Sequence, residues 1–379
     1  MRVVIFIGHH KVGSTSLQDY FARNAALFAS HGVLYPFTDF QGAASLMDDL
    51  VNLARPVSRK KIASMSSLNF LNNHVPINIR EPHNALAFSM LSDEHEPWII
   101  PEIHSNLPST EQMLHAMKQQ VDFMRPHTVV LISEVMANFG KGLHAGITRI
   151  KELFEPAEFT IYASIRRIDQ YIASWHGQRL WFGDKLRPLR RNGLEHHFGT
   201  IHFDYRLMID KWVENVPGSK FILRDYADVL ENGGSIKDFV EACNLKLPAR
   251  TRSARRVNSS YHRALYEVVR KANKKLPAQK AENFRNKIEQ RQASLKLPPS
   301  DDIELFGKAV RKRLFQNFKP VNQSLGQHVD RRVFFKARRA MLSTCKIPEL
   351  EATKIAVEQL QNNIDWFGDP KIRNFISEL

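Results

Sequence analysis

The apolar positions of this chain follow two alternating rhythms. Residues 3–7, Val-Val-Ile-Phe-Ile, are a short β-branched and aromatic run suited to a buried strand, and the loop Gly8-His9-His10-Lys11-Val12-Gly13-Ser14 follows it. The spacing of Leu17, Tyr20, Phe21, Asn24, Leu27 and Phe28, with one polar interruption, then predicts a helix, opened by Thr15 and Gln18 at capping-box separation and ended by His31-Gly32. Val33-Leu34-Tyr35 reads as a second strand, stopped by Pro36. Further strands are predicted over 128–132, leading into Ser133-Glu134, over 159–165, leading into Arg166-Arg167, and over 220–223. Helical periodicity occupies 170–181, 205–212 and 235–243. Strands alternating with helices predict an α/β fold, a central and mostly parallel sheet flanked by helices on both faces.

Two regions depart from this rhythm. Residues 40–120 join helical pieces at 85–91 and 111–124 through segments rich in Pro, Asn and His, where substrate loops are expected. From about residue 260 the strand signals stop, and charge-rich helical patterns run over 263–274, 281–291 and 303–315. The expected organisation is one domain over 1–330, with a helical subregion at about 260–330, followed by a basic, helical extension over 331–379.

Composition narrows the class. A hydrophobic share of 43% with 25% charged residues excludes a disordered chain. The 54 Lys and Arg against 39 Asp and Glu leave a formal charge of +15, a field that attracts nucleotides, anionic glycans, lipid headgroups or nucleic acid without choosing among them. Cys243 and Cys345 lie far apart outside any CxxC pattern, so neither a disulfide framework nor a cysteine zinc site is expected, and a reducing compartment fits. No stretch approaches the roughly 18 uncharged apolar residues of a membrane span, and the first apolar run is too short for a signal-peptide core. A cytoplasmic protein is expected, with basic patches suited to peripheral contact at the inner face of a membrane.

Gly13, Ser14, Thr15 and Ser16 stand where a buried strand turns into a helix, a place where backbone amides, the helix N-terminus and hydroxyls gather an anion. Lys11 adds a cation to the same loop. A tight turn with a capped helix uses the same residues, so the loop alone leaves both readings open. Gly8 and Gly13 have the separation of the Walker loop, yet Ser14 stands where the lysine is needed and Lys11 precedes the second glycine by two residues. No strand ending in Asp supplies the usual magnesium carboxylate.

The run Lys11-Val12-Gly13-Ser14-Thr15 resembles the 5'-phosphosulfate loop of sulfotransferases that use 3'-phosphoadenosine-5'-phosphosulfate (PAPS). Residues 165–175, Ile-Arg-Arg-Ile-Asp-Gln-Tyr-Ile-Ala-Ser-Trp, resemble the 3'-phosphate site of that family, with Arg166 at a strand end and Ser174 eight residues later on the following helix. A looser similarity to bacterial carbohydrate (polysaccharide) sulfotransferases covers about residues 2–328, through 32–36, the Arg-Arg-x-Asp of 166–169, 257–260 and 318–325. Val12 and Ser14 replace a commoner Thr, and Ile168 a common Gln, with no required functional group lost.

The resemblance implies a P-loop-like three-layer fold and in-line transfer of a sulfuryl group from PAPS to a carbohydrate hydroxyl, releasing the desulfated nucleotide PAP without requiring a metal. It implies that Lys11 stabilises the leaving PAP, that Gly13, Ser14, Thr15 and Ser16 bind the 5'-phosphate, and that Arg166 and Ser174 hold the 3'-phosphate. Two residues are candidates for the general base, Glu134 at the end of a predicted strand and His83 in a Pro-His-Asn-Ala-Leu-Ala stretch. A capping carboxylate and a helix-start residue are their ordinary structural readings.

Arg255 and Arg256 are further candidates for the adenosine phosphate, and the loop 187–191, with Arg187, Arg190 and Arg191, for an anionic acceptor. Trp175, Trp181 and Phe182 have spacing that suits either sugar stacking or a helix core face. His9-His10 and the trio His196, His197 and His202 lack HxxxH or HExxH spacing, so no metal site is expected. The basic clusters at 250–256, 311–313 and 331–339 come without a nucleic-acid-binding motif, so no nucleic-acid partner is expected. The alternatives that remain are a P-loop nucleotide kinase or hydrolase and a non-catalytic basic module that binds polyanions.

Overall fold

The computed structural model describes residues 1–54, 76–94, 100–140, 144–254 and 261–379. The chain divides into two compact units, Met1–Arg166 with Tyr205–Val257, and Arg167–Asp204 with Asn258–Leu379.

The first unit is α/β. Its sheet has five strands, β1 (Arg2–Phe6), β2 (Val33–Leu34), β3 (Thr128–Ile132), β4 (Glu158–Ile165) and β5 (Lys220–Asp225), in the order β2-β3-β1-β4-β5. Every pairing is parallel, with Phe6 of β1 level with Ile132 of β3 and Tyr162 of β4. All of β3, β1 beyond Arg2 and β4 beyond Glu158 are buried, which is why these strands read as unbroken apolar runs rather than alternating ones. On one face Phe6 stacks on Tyr162 at 5.7 Å and meets Phe239 edge-on at 6.0 Å. Phe239 comes from the helix Ser235–Ala242, and it also meets Phe21 of helix α1 (Ser14–Arg23), so these two helices cover that face.

The single helix expected over 15–28 is broken. Asn24 leaves helical geometry at φ −112° and ψ 10°, and its side-chain amide donates to the carbonyls of Tyr20 at 2.8 Å and Arg252 at 2.9 Å. A second helix, α2 (Ala25–Ala29), then resumes the apolar pattern. In this strand order the chain leaving β1 runs to β2 on one side and the chain leaving β4 runs to β5 on the other. The loops after β1 and β4 therefore diverge, and open parallel sheets bind ligands at such a point, beyond the carboxyl ends of the strands.

The second unit is helical, built on Ile168–Trp181, Tyr266–Lys275, Ala278–Arg291, Lys308–Gln327, Glu349–Gln361 and Pro370–Ser377. The helix expected over 303–315 begins instead with a two-residue strand, β6 (Ile303–Glu304), paired in parallel with β7 (Ile347–Pro348). Its helix starts at Lys308, after Gly307 turns the chain at φ 80°. The division falls elsewhere than the boundary expected at residue 330. Phe367 and Phe375 pack on Phe284 at 5.4 and 5.7 Å, and buried Glu349 accepts from Arg190, so the last fifty or so residues complete the core of this unit. Among the described residues, no helix is long and apolar enough to cross a membrane.

Candidate functional site

The parallel ladder does not stop with β1. Ile7 N–H donates to Tyr162 O and His9 N–H to Ser164 O, each at 2.9 Å, which lays the start of the loop along the end of β4. The loop then curls through two left-handed residues, Lys11 at φ 64° and Gly13 at φ 82°. Glycine takes this conformation without steric cost, whereas a lysine held there carries strain of order 1–3 kcal/mol, a reservoir found mostly at functional loops. Ser235 closes the loop from the other side, its hydroxyl donating to Val12 O at 2.9 Å.

Gly13 is required twice over. Besides its φ, a Cβ at this position stands 2.2 Å from Ser235 Oγ and 3.1 Å from Ser235 Cβ. Gly13→Ala is expected to lower the unfolding free energy by about 1–3 kcal/mol in urea denaturation. A Gly13→Ala, Ser235→Gly double variant should recover only part of that loss, because the backbone strain remains.

Gly13 is also the N-cap of α1, and no side chain caps the helix there. The capping box expected of Thr15 and Gln18 is absent; Gln18 points across to β3, donating to Ile132 O at 3.3 Å and to Glu134 Oε2 at 3.2 Å. No acidic residue occupies the first turn. The positive end of α1 is thus left to Ser14, Thr15 and Ser16 with their amides, the arrangement that favours an anion. Ser14 is buried, while Thr15 and Ser16 are half-buried.

Two cations converge here. Burial first, and then the Arg166 charge, holds the Lys11 ammonium below the ordinary lysine range. Arg166 follows the last residue of β4, its guanidinium 5.5 Å from the centre of the Tyr226 ring and its carbonyl accepting from Tyr205 Oη at 2.8 Å. Arg167, next along the chain, is committed to Asp169 through bonds of 2.6 and 3.0 Å. His9 is fully buried with its ring 5.1 Å from Tyr205, and burial, aided by the Lys11 charge, lowers His10 to about 4.

Glu134 follows β3 through Ser133 and reaches the same loop. Its carboxylate accepts from Ser14, Gln18 and Asn84, and burial nevertheless raises its pKa above the usual carboxylate range. His83, the other candidate base, is corrected by the structure. Its Nε2 bonds Pro36 O and its Nδ1 accepts from Ile132 N–H, both at 3.0 Å, and burial lowers it to about 3. With both ring nitrogens spent on backbone, it locks the helix Pro82–Glu94 against β3 and has none for a substrate.

Other expectations divide similarly. Arg190 is corrected as an acceptor contact, because it pairs with buried Glu349 and lies 3.8 Å from Glu267. Arg187 and Arg191 remain exposed. Ser174 sits half-buried on the helix Ile168–Trp181 of the second unit, and the role implied for it rests on sequence alone. Trp175 on the same helix stacks on His202 at 4.5 Å, Trp181 stacks on Phe182 at 6.1 Å, and Phe182 is largely exposed. Arg255 and Arg256, and the stretch 257–260, lie outside the described residues. No group of three or more metal-ligating side chains occurs among the described residues.

Sequence reasoning missed Tyr226 and Ser235, which reach the loop from more than 200 residues away, and Gln18 and Asn84, which bond Glu134. Only Gln18 carried a local signal, and it pointed to a cap. No protein-family model matches this chain, and neither a curated protein nor a solved structure does.

Proposed function

We propose that this protein transfers a sulfuryl group from PAPS to a carbohydrate hydroxyl, on a P-loop-like three-layer α/β unit. The observation that carries the reading is the meeting of Lys11 and Arg166 beside the uncapped N-terminus of α1. Two mutually repelling, partly desolvated cations at a helix N-terminus are stabilised by a ligand with several negative charges, and PAP supplies them at its 5' and 3' ends. The lysine precedes Gly13, so it flanks the helix start rather than opening it, as the resemblance requires.

The acceptor oxygen attacks sulfur as the bond from sulfur to the bridging oxygen breaks, and the electron pair leaves on that oxygen. Lys11 neutralises the charge gathering there, the Ser14 amide with the amides and hydroxyls of Thr15 and Ser16 holds the 5'-phosphate, and Arg166 holds the 3'-phosphate. Glu134 takes the acceptor's proton.

This assignment fixes a sign for the pH dependence. Glu134 works as a base only when ionised, and its pKa stands above the ordinary carboxylate range. Activity is therefore expected to fall as pH drops through that raised value, at a higher pH than a solvent-exposed glutamate gives. Glu134→Gln should abolish this limb and lower kcat by about 10²–10⁴-fold while leaving PAP affinity within a few fold. Release of PAP from PAPS on addition of oligosaccharide acceptors, followed by chromatography, tests the reaction itself.

One observation favours a second reading. A carboxylate at the end of β3 bonded to the first hydroxyl of α1 is also where a magnesium nucleotide is gripped in P-loop hydrolases. Magnesium-dependent loss of the ATP γ-phosphate, with no release of PAP from PAPS, would establish that reading instead.

A further inference from the structure

Beside half-buried Glu134 lies a buried carboxylate, Glu81, between the helices Ile77–Arg80 and Pro82–Glu94. The two are linked by one amide whose orientation is dictated by backbone. Ser133 Oγ lies 3.1 Å from Val135 N and 3.3 Å from Met136 N, accepting from both, so its proton goes to Asn84 Oδ1 at 2.7 Å. The Asn84 NH₂ group is thereby turned toward the acids. It donates to Glu81 Oε2 at 3.0 Å and to the Glu134 carboxylate.

The surroundings of the two acids differ. Arg80 binds Glu81 Oε1 through Nε at 3.0 Å and Nη2 at 2.6 Å, which favours the charged form of Glu81. Glu134 is held by the neutral groups of Ser14, Gln18, Asn84 and its own backbone amide. Among the described residues, charged or titratable groups around the pair include His104, whose Nε2 is 4.0 Å from Glu81 Oε2, the Tyr35 hydroxyl, and Asp19, which pairs with Arg23 at 2.7 Å. His104 also bonds Asn78 Oδ1 at 2.9 Å, and burial lowers its pKa.

We propose that Glu81 is a positioning residue for the acceptor base, its negative charge held beside Glu134 by the shared Asn84 amide so that Glu134 is the better proton acceptor. Two like charges enclosed together resist simultaneous ionisation. When Glu134 takes the proton of the acceptor hydroxyl it becomes neutral and its repulsion with Glu81 disappears. Arg80 favours the charged form of Glu81, so the accepted proton stays on Glu134 and leaves it for solvent after product departs. Burial and the neighbouring carboxylate raise the Glu81 pKa as well, in keeping with a pair that titrates as one unit.

This inference rests on reading Glu134 as the base, and it is tested by a measurement that needs no turnover. Infrared difference titration of the protonated carboxyl band is compared among wild type, Glu81→Gln and Glu134→Gln. Expected is a wild-type band that persists to higher pH than either variant's remaining carboxyl, with Glu134 in Glu81→Gln titrating at lower pH. A Glu134 titration unmoved by Glu81→Gln overturns the proposal. Where that variant does not fold, Glu134→Gln gives the reciprocal reading on Glu81, and an unmoved Glu81 overturns it equally. In PAP-release assays, Glu81→Gln should shift the acidic limb of kcat/KM to lower pH and lower the plateau, because a less basic Glu134 accepts the proton less readily, whereas a merely structural role lowers the rate at every pH without moving the limb. Shifted titrations in a protein that releases no PAP from PAPS leave the pair standing and remove the sulfuryl-transfer reading; unmoved titrations with intact turnover do the reverse.

Discussion

Lys11→Ala is expected to bind PAPS within about tenfold of wild type while losing turnover by on the order of 10²–10³-fold, the scale on which one donor aimed at developing charge contributes. In PAPS the bridging oxygen carries little charge; in the transition state the electron pair gathers there. An ammonium placed at that oxygen is therefore worth more in the transition state than in bound PAPS, and its removal appears in kcat rather than KM. The strain of Lys11 at φ 64° sharpens the expectation, since the fold holds a residue ill-suited to that backbone where glycine would sit at ease. Lys11→Gly should therefore be at least as stable as wild type to urea and equally inactive. Stopped-flow single-turnover assays separate the two effects, because they read the chemical step without product release.

Arg166→Ala is expected to act on binding. A guanidinium makes two charge-assisted bonds to a phosphate, and at about 1.5 kcal/mol for each the loss is roughly 3 kcal/mol, or about 150-fold in Kd. The change should be selective: PAP affinity falls by that factor, whereas 5'-AMP, which lacks the 3'-phosphate, is held as in wild type. Arg166→Lys should recover only part of the loss, since a point charge cannot reproduce the planar fork. Removing Arg166 also lifts one of the two causes that hold the Lys11 ammonium low, so its titration in the unliganded protein should move back toward the ordinary lysine range.

The framework of this site was legible in the sequence because it is local. The runs at 3–7, 128–132 and 159–165 form β1, β3 and β4 within a residue or so, since strands buried on both faces leave an unbroken apolar signature. The glycine loop and the arginine at the end of β4 followed from their places after those runs. What the sequence hid is long-range. Asn24 interrupts a continuous helical pattern because its amide finds Arg252 O, 228 residues away. Gln18 abandons the cap its spacing suggested for a carboxylate on another strand. His83 looked like a base from its chemistry, and only the paths of Pro36 and Ile132 show both nitrogens spent. The coupling of Glu81 to Glu134 through Asn84 was invisible for the same reason, and so was β6, whose two residues become a strand only when β7 arrives 44 positions later.

Calorimetric titration of the protein with PAP, 5'-AMP and magnesium ATP, in wild type and Arg166→Ala, tests the central claim most directly. Tight PAP binding, far weaker binding of 5'-AMP and magnesium ATP, and collapse of the PAP preference in the variant are the predicted results. Magnesium ATP binding more tightly than PAP, or a PAP affinity indifferent to Arg166, would contradict it.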